Sequence, residues 1–239
     1  MYFQAILFDL NGTVIEIFQK TEYRRHVEAM AAALDLQYAP FVEAWQKSYD
    51  FFPNRNYPTI EARMNVALQN YDHLTVMPAD FQVQQACQIR YDYIAGQQLK
   101  IRDGVLDFLA WASQLGYRLG MVSNCTTETP MAWPTNPMAK YIPNPTFSCV
   151  VGFQKPDPQI FWHALKNLDL LDPTRCIYVA DGDDHEFDTA MSLGMQPVLI
   201  TYPIEDAFRH EPFPEIKYSI DKFADLPDII KMIELQARN

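Results

Sequence analysis

Phe3-Gln4-Ala5-Ile6-Leu7-Phe8-Asp9-Leu10-Asn11-Gly12-Thr13 is a short apolar run that stops abruptly at an acid and a turn-forming Asn-Gly pair. A run this short and this apolar reads as a strand buried on both faces, with Asp9 delivered at its C-terminal end. The same pattern returns twice. Arg118-Leu119-Gly120-Met121-Val122 stops at Ser123-Asn124, and Cys176-Ile177-Tyr178-Val179-Ala180 stops at Asp181-Gly182. Further strands are expected at Phe147–Val151, Pro197–Thr201 and Lys217–Ile220.

Helical patterns fill the gaps between these runs, over Gly104–Leu115, Pro158–Leu168, Phe187–Leu193 and Leu226–Gln236. Strands alternating with helices imply an α/β fold with a doubly wound parallel sheet. In such sheets ligands bind beyond the carboxyl ends of the strands, which is where Asp9, Ser123, Asn124 and Asp181 fall. Between the first two strands the character changes. An amphipathic pattern starting near Thr21, a candidate N-cap, is followed by helical stretches at Pro40–Tyr49, Thr59–Tyr71 and Ala79–Ala95, broken by Pro53, Pro58 and Pro78. The expected organisation is an α/β core made of residues 1–15 and 99–239, with an all-helical domain, residues 16–98, inserted into it.

Composition narrows the function. The 239 residues are 49% hydrophobic and 21% charged, with a net charge of −11. That balance suits a globular protein and disfavours nucleic acid or an anionic membrane as partner, since both call for a basic surface. No apolar run approaches the roughly 20 residues that span a bilayer, and the first residues lack the basic leader and small-residue cleavage site of a signal peptide. Cys87, Cys125, Cys149 and Cys176 are scattered without metal-ligand spacing, as expected of reduced thiols in a cytoplasmic protein.

Carboxylates, a hydroxyl and a lysine gathered at one sheet edge suit phosphoryl transfer. A carboxylate can act as nucleophile, a hydroxyl can hold phosphoryl oxygens, a lysine can offset charge, and a second carboxylate can share a hard divalent cation. Asp9–Thr13 and Lys155-Pro156-Asp157-Pro158 each read alone as a turn, Met121–Asn124 as a helix cap or loop, and Tyr178–Glu186 as a solvated acidic loop or a helix N-terminus. Their order along the chain, at successive strand ends, favours a common site.

In that order they resemble the four motifs of the haloacid dehalogenase-like superfamily, and the helical block resembles the cap of the subgroup that inserts it between the first and second motifs. The resemblance implies a Mg2+-dependent hydrolase of a small phosphorylated metabolite that works through an aspartyl-phosphate. Asp9 would be nucleophile and metal ligand. The backbone carbonyl of Asn11 and the carboxylate of Asp181 would be further ligands, and Glu186 would orient a metal-bound water. Ser123 and Asn124 would bind phosphoryl oxygens, while Lys155 would neutralise charge and fix Asp9.

One position departs from the pattern. Family phosphatases carry an acid/base aspartate two residues after the nucleophile, and this chain has Asn11, whose amide exchanges no proton at useful pH. Slow turnover, a preference for acyl or aryl phosphates, or an accumulating aspartyl-phosphate is therefore expected. Two other readings follow from the same position. A metal-independent 2-haloacid dehalogenase also lacks that aspartate, although its fourth motif is Ser-Ser-Asn where this chain has Ala180-Asp181-Gly182. A catalytically impaired protein that keeps the phosphate site for binding is the other.

Further along, Arg24, Arg25, Lys47, Arg55 and Arg63 are candidates for a substrate's distal end, though most such charges form solvated faces. Trp133 belongs either near the site entrance or against the sheet. His185 reads as a charge partner of the acidic cluster, and His26, His73, His163 and His210 have no spaced partners. Nothing in the chain fixes an oligomeric state.

Overall fold

The computed structural model describes residues 2–72, 74–203, 205–208 and 213–237, so His73 and His210 lie outside it. Six strands form one sheet: β1 (Ala5–Phe8), β2 (Arg118–Ser123), β3 (Thr146–Phe147), β4 (Cys176–Ala180), β5 (Gln196–Ile200) and β6 (Ser219–Ile220). The helices in chain order are α1 (Lys20–Ala33), α2 (Tyr38–Lys47), α3 (Ile60–Gln69), α4 (Asp80–Gln98), α5 (Val105–Gln114), α6 (Glu128–Ala132), α7 (Ser148–Val151), α8 (Pro158–Asn167), α9 (Glu186–Ser192) and α10 (Leu226–Gln236).

The strand order is β3-β2-β1-β4-β5-β6, with every pairing parallel. The chain leaves central β1 for β2 on one side and later reaches β4 on the other, so the order reverses at β1. That switch point opens a crevice above the end of β1.

Strand alternation divides the core into two layers. Ile6 and Phe8 of β1, with Met121 and Val179, pack on Phe108 and Leu109 of α5 and Ile230 of α10. Ala5 and Leu7, with Tyr178 and Ala180, pack on Phe161 and Leu165 of α8 and Ala190 of α9. The larger of these side chains (Ile, Leu, Val, Met, Phe), fully buried, contribute about 1.5–3 kcal/mol each, which is why both faces of β1 are apolar. Helices α1 to α4 bury a separate cluster, including Val27, Phe41, Trp45, Met64 and Leu68. All four cysteines are free and buried.

Local capping follows side-chain chemistry in places. Thr59 Oγ1 accepts from Ala62 N at 3.1 Å at the start of α3, and Asp157 caps α8 by accepting from Gln159 N at 2.8 Å. Thr21 does not cap α1. That helix begins at Lys20, and a distant loop supplies the acceptors: Lys20 N donates to Asp206 O at 2.6 Å and Thr21 N to Asp206 Oδ2 at 3.2 Å. The strand expected at Phe147–Val151 shrinks to Thr146–Phe147 and turns into α7. Buried Ser148 accepts there from Cys125 N at 3.1 Å instead of extending the edge. A short apolar run does not itself distinguish strand from helix. Trp133 packs into the core, its indole N–H donating to Ile142 O at 3.1 Å and its ring edge-on to Phe147.

Candidate active site

Asp9 leaves β1 with its N–H bonded to Val179 O at 3.0 Å, so the neighbouring β4 sets its position. The chain then turns at Gly12, where φ is +78° and a Cβ would stand 2.4 Å from Asp181 Oδ2. Only glycine both adopts that backbone and lets the turn approach the second acid. Arg102 secures the turn from outside, donating to Gly12 O and to Thr201 O at 3.0 Å each.

Three carboxylates converge beyond the strand ends. Asp9, Asp181 and Glu186 are all buried and each offers an oxygen within 4.8 Å of the others. Lys155, also buried, donates to Asp9 Oδ1 and, at 2.5 Å, to Glu186 Oε2. Tyr178 donates to the same Glu186 oxygen at 2.5 Å, and Gly182 N to Oε1 at 3.2 Å. Asp181 accepts from Tyr202 Oη at 2.7 Å and from Asp183 N at 3.1 Å.

Burial dominates the charge states here. It raises the pKa of Asp9, with Lys155 pulling the other way. Burial also pushes Glu186 up to about 8, again against Lys155 and helped by the nearby charges of Asp9 and Asp181. For Lys155 burial disfavours the ammonium, yet Asp9 and Glu186 outweigh it and hold its pKa well above the ordinary value. One ammonium is thus shared between two carboxylates, with a third at hand.

The remaining motif residues divide by partner. Ser123 is fully buried at the end of β2, and its hydroxyl has no hydrogen-bond partner among the described residues. Thr13 Oγ1 is in the same condition. Asn124 is engaged at both ends of its amide. Nδ2 donates to Lys155 O at 3.0 Å and to Asp184 Oδ2 at 2.8 Å, while Oδ1 accepts from Lys155 N at 2.8 Å. It acts as a bracket for the lysine backbone. Asn11 lines the cavity above Asp9, partly buried.

That cavity, about 410 Å³, is also lined from the helical block, by Tyr23, Tyr49, Arg55, Arg90 and Tyr93. Of the five basic residues singled out in the block, only Arg55 reaches it. Arg24 and Lys47 pair with Glu28 and Glu43 on the surface, Arg25 is exposed, and Arg63 is buried against the Trp45 and Tyr49 rings. A buried network joins block to core beside the cavity. Arg90 Nε donates to Glu128 Oε1 at 2.6 Å, and Tyr57 Oη donates to Glu128 Oε2. His26 accepts from Arg90 through Nε2 at 3.4 Å, while its Nδ1 donates to Tyr23 O at 2.8 Å.

Sequence reading missed Tyr178, Tyr202, Arg102 and Glu128. Tyr202 follows the end of β5, so the strand-end rule that selected Asp9 and Asp181 also points to it. Arg102 and Glu128 carry no comparable signal.

Residues 3–190 match the pattern that defines haloacid dehalogenase-like hydrolases. The chain belongs to this family. It is similar to the Rhythmically expressed gene 2 protein of Drosophila melanogaster, with 28% identity over 119 residues, a stretch that is 45% of this chain and 46% of that one. The match thus spans under half the length of that relative. Among solved structures, a 2-haloacid dehalogenase from Pseudomonas syringae superposes with a TM-score of 0.71 at 17% identity, over 96% of this chain and 99% of the other. CbbY from Rhodobacter sphaeroides, solved as a variant in complex with xylulose-1,5-bisphosphate, superposes with a TM-score of 0.59 at 22% identity, over 94% and 96%. At these identities the structural likeness establishes the hydrolase fold, shared by enzymes of different chemistry. No helix among the described residues is long and apolar enough to cross a membrane.

Proposed function

We propose that this hydrolase is a Mg2+-dependent phosphatase of a small phosphorylated metabolite, and that Asp9 is its nucleophile. The observation that carries the reading is the buried group of Asp9, Asp181 and Glu186 around the single ammonium of Lys155. Negative groups outnumber the positive one, and every donor is an oxygen, which is the chemistry a hard divalent cation requires. Asp9, Asp181 and the carbonyl of Asn11 would hold the ion, with Glu186 behind it. When bound, Mg2+ supplies charge neutralisation at the phosphoryl oxygens.

The chain's own groups do the rest. Lys155 orients Asp9 and offsets charge as a carboxylate oxygen bonds to phosphorus and the substrate's P–O bond breaks, its oxygen leaving with the metabolite. Ser123, with its buried and unengaged hydroxyl, donates to a phosphoryl oxygen, and Asn124 keeps Lys155 in register. Water then cleaves the aspartyl-phosphate, restoring Asp9 and releasing phosphate. Asn11 hydrogen-bonds but moves no proton, so leaving groups that need none are favoured. The block of residues 16–98 acts as a cap over the core of residues 1–15 and 99–239, and sets which substrates fit.

The similarity to a dehalogenase leaves a second chemistry to separate, since that reaction needs Asp9 but no metal. A screen of acetyl phosphate, sugar phosphates, phosphoglycolate and 2-chloropropionate, with and without Mg2+, distinguishes the two. The expected result is phosphate release that chelator abolishes, greatest with acetyl phosphate. Chloride release without metal would replace the phosphatase reading with the dehalogenase one. No turnover of any substrate would favour a binding role.

A further inference from the structure

Three described cations line the cavity, and they differ in how they are balanced. Lys155 is held by Asp9 and Glu186. Arg90 is held by Glu128 at 2.6 Å, with its other nitrogens 3.4 Å from His26 and Thr126. Arg55 is different. Among the described residues no carboxylate pairs with it, and its guanidinium lies 5.4 Å from the centroid of the Tyr49 ring.

Its placement is costly and specific. Asn54 and Arg55 both adopt left-handed backbone, with φ of 53° and 57°. Asparagine tolerates that region, but a long side chain seldom occupies it. Asn54 Nδ2 donates to Gly152 O at 2.5 Å, which ties the turn across to the segment after α7. The turn thus spends backbone energy and a bond to the core on holding a guanidinium at the cavity wall. Strain of this kind gathers where a ligand is gripped. The cavity wall also carries the aromatic side chains of Phe18, Tyr23, Tyr49 and Tyr93.

We propose that Arg55 reads a second anionic group on the substrate. Resting on the phosphatase reading, this makes the preferred substrates small metabolites that carry a carboxylate or a second phosphate besides the phosphoryl group that is cleaved. The planar guanidinium presents paired donors that match either anion. In a protein of net charge −11, an unbalanced local cation is what such a substrate needs to enter.

The test compares matched substrates on the wild-type protein and Arg55→Gln, with Mg2+ present. One pair is 2-phosphoglycolate and ethylene glycol monophosphate, and the other is a pentose 1,5-bisphosphate and the 5-phosphate. Acetyl phosphate is the reference without a second anion. Arg55 is exposed and, among the described residues, its side chain donates no hydrogen bond, so the variant should fold. At least one member with two anionic groups is expected to have the higher kcat/KM on wild type. Arg55→Gln should raise its KM by about 10- to 100-fold with kcat little changed. The partner compound and acetyl phosphate should be unaffected, and Arg55→Lys should recover part of the loss. Equal effects on both members of each pair, or none on either, would overturn the proposal while leaving the phosphatase reading intact. Failure to turn over acetyl phosphate and every other donor would remove both.

Discussion

Glu186 and Glu128 are the same residue type, both fully buried and both paired with a buried cation, yet their charge states move in opposite directions. Glu186 rises to about 8, because burial opposes its charge and Lys155 is shared with Asp9. Glu128 falls to about 2, because Arg90 and the Tyr57 hydroxyl outweigh the same burial. The difference is stoichiometry. At the strand ends one ammonium serves two carboxylates with a third close by, and between block and core one guanidinium serves one. A balanced buried pair fastens two parts of a molecule. An unbalanced one costs stability, is tolerated where chemistry repays it, and marks the site.

The contrast breaks most readily at Asp9. Asp9→Asn should lower turnover by about 10⁴-fold or more, as loss of a nucleophile does in other enzymes. The same change removes one of the crowded carboxylates, so thermal melting without metal should show a Tm equal to or above that of wild type. A marked fall in Tm would mean that the strand-end cluster is structural. Asn11→Asp sharpens the same side. Restoring a proton-transferring group should raise kcat on an alkyl phosphate by about 10²–10⁴-fold. No gain in steady-state phosphate release would show that Asn11 is not what limits the rate.

On the balanced side, Glu128→Ala leaves Arg90 buried without its carboxylate and should cost about 3–5 kcal/mol in urea unfolding. A loss below about 1 kcal/mol would show that water or another group replaces the carboxylate. The smallest effect expected is in pH dependence. Burial and the Arg90 charge lower His26 to about 3, so the unfolded chain binds a proton near pH 6.5 that the folded protein refuses. That contribution is present above pH 6.5 and is lost as pH falls from 6.5 toward 3, by at most about 1.4 kcal/mol per pH unit. Glu128, also depressed, adds a loss in the same direction as pH falls from 4.5 toward 2. Urea midpoints of His26→Gln between pH 7 and 5 should be flatter than those of wild type.

The two centres also differ in how far the sequence foretells them. Asp9, Ser123 and Asp181 stand at the ends of apolar runs, and buried parallel strands write such runs plainly, so β1, β2 and β4 fall where expected. Lys155 and Glu186 arrive with their motifs, and the structure brings both to Asp9. The Arg90–Glu128 pair is different. Its members lie 38 positions apart on helices of unrelated pattern, and neither sits in a turn or at a strand end. Tertiary packing alone unites them. The same holds for α1, where Asp206, far along the chain, supplies the cap that Thr21 was expected to give. Asn124 illustrates a middle case, since its position is legible while its partners, Lys155 and Asp184, are not.

Turnover through an aspartyl-phosphate requires that Asp9 itself become phosphorylated. Incubating the protein with acetyl phosphate and Mg2+, quenching in acid, and sequencing the peptides by mass spectrometry tests it most directly. A phosphoryl group is expected on Asp9, accumulating because Asn11 slows its hydrolysis, and absent in Asp9→Asn or after chelation. An unmodified Asp9 with every reactive donor, or a phosphoryl group on another residue, would contradict it.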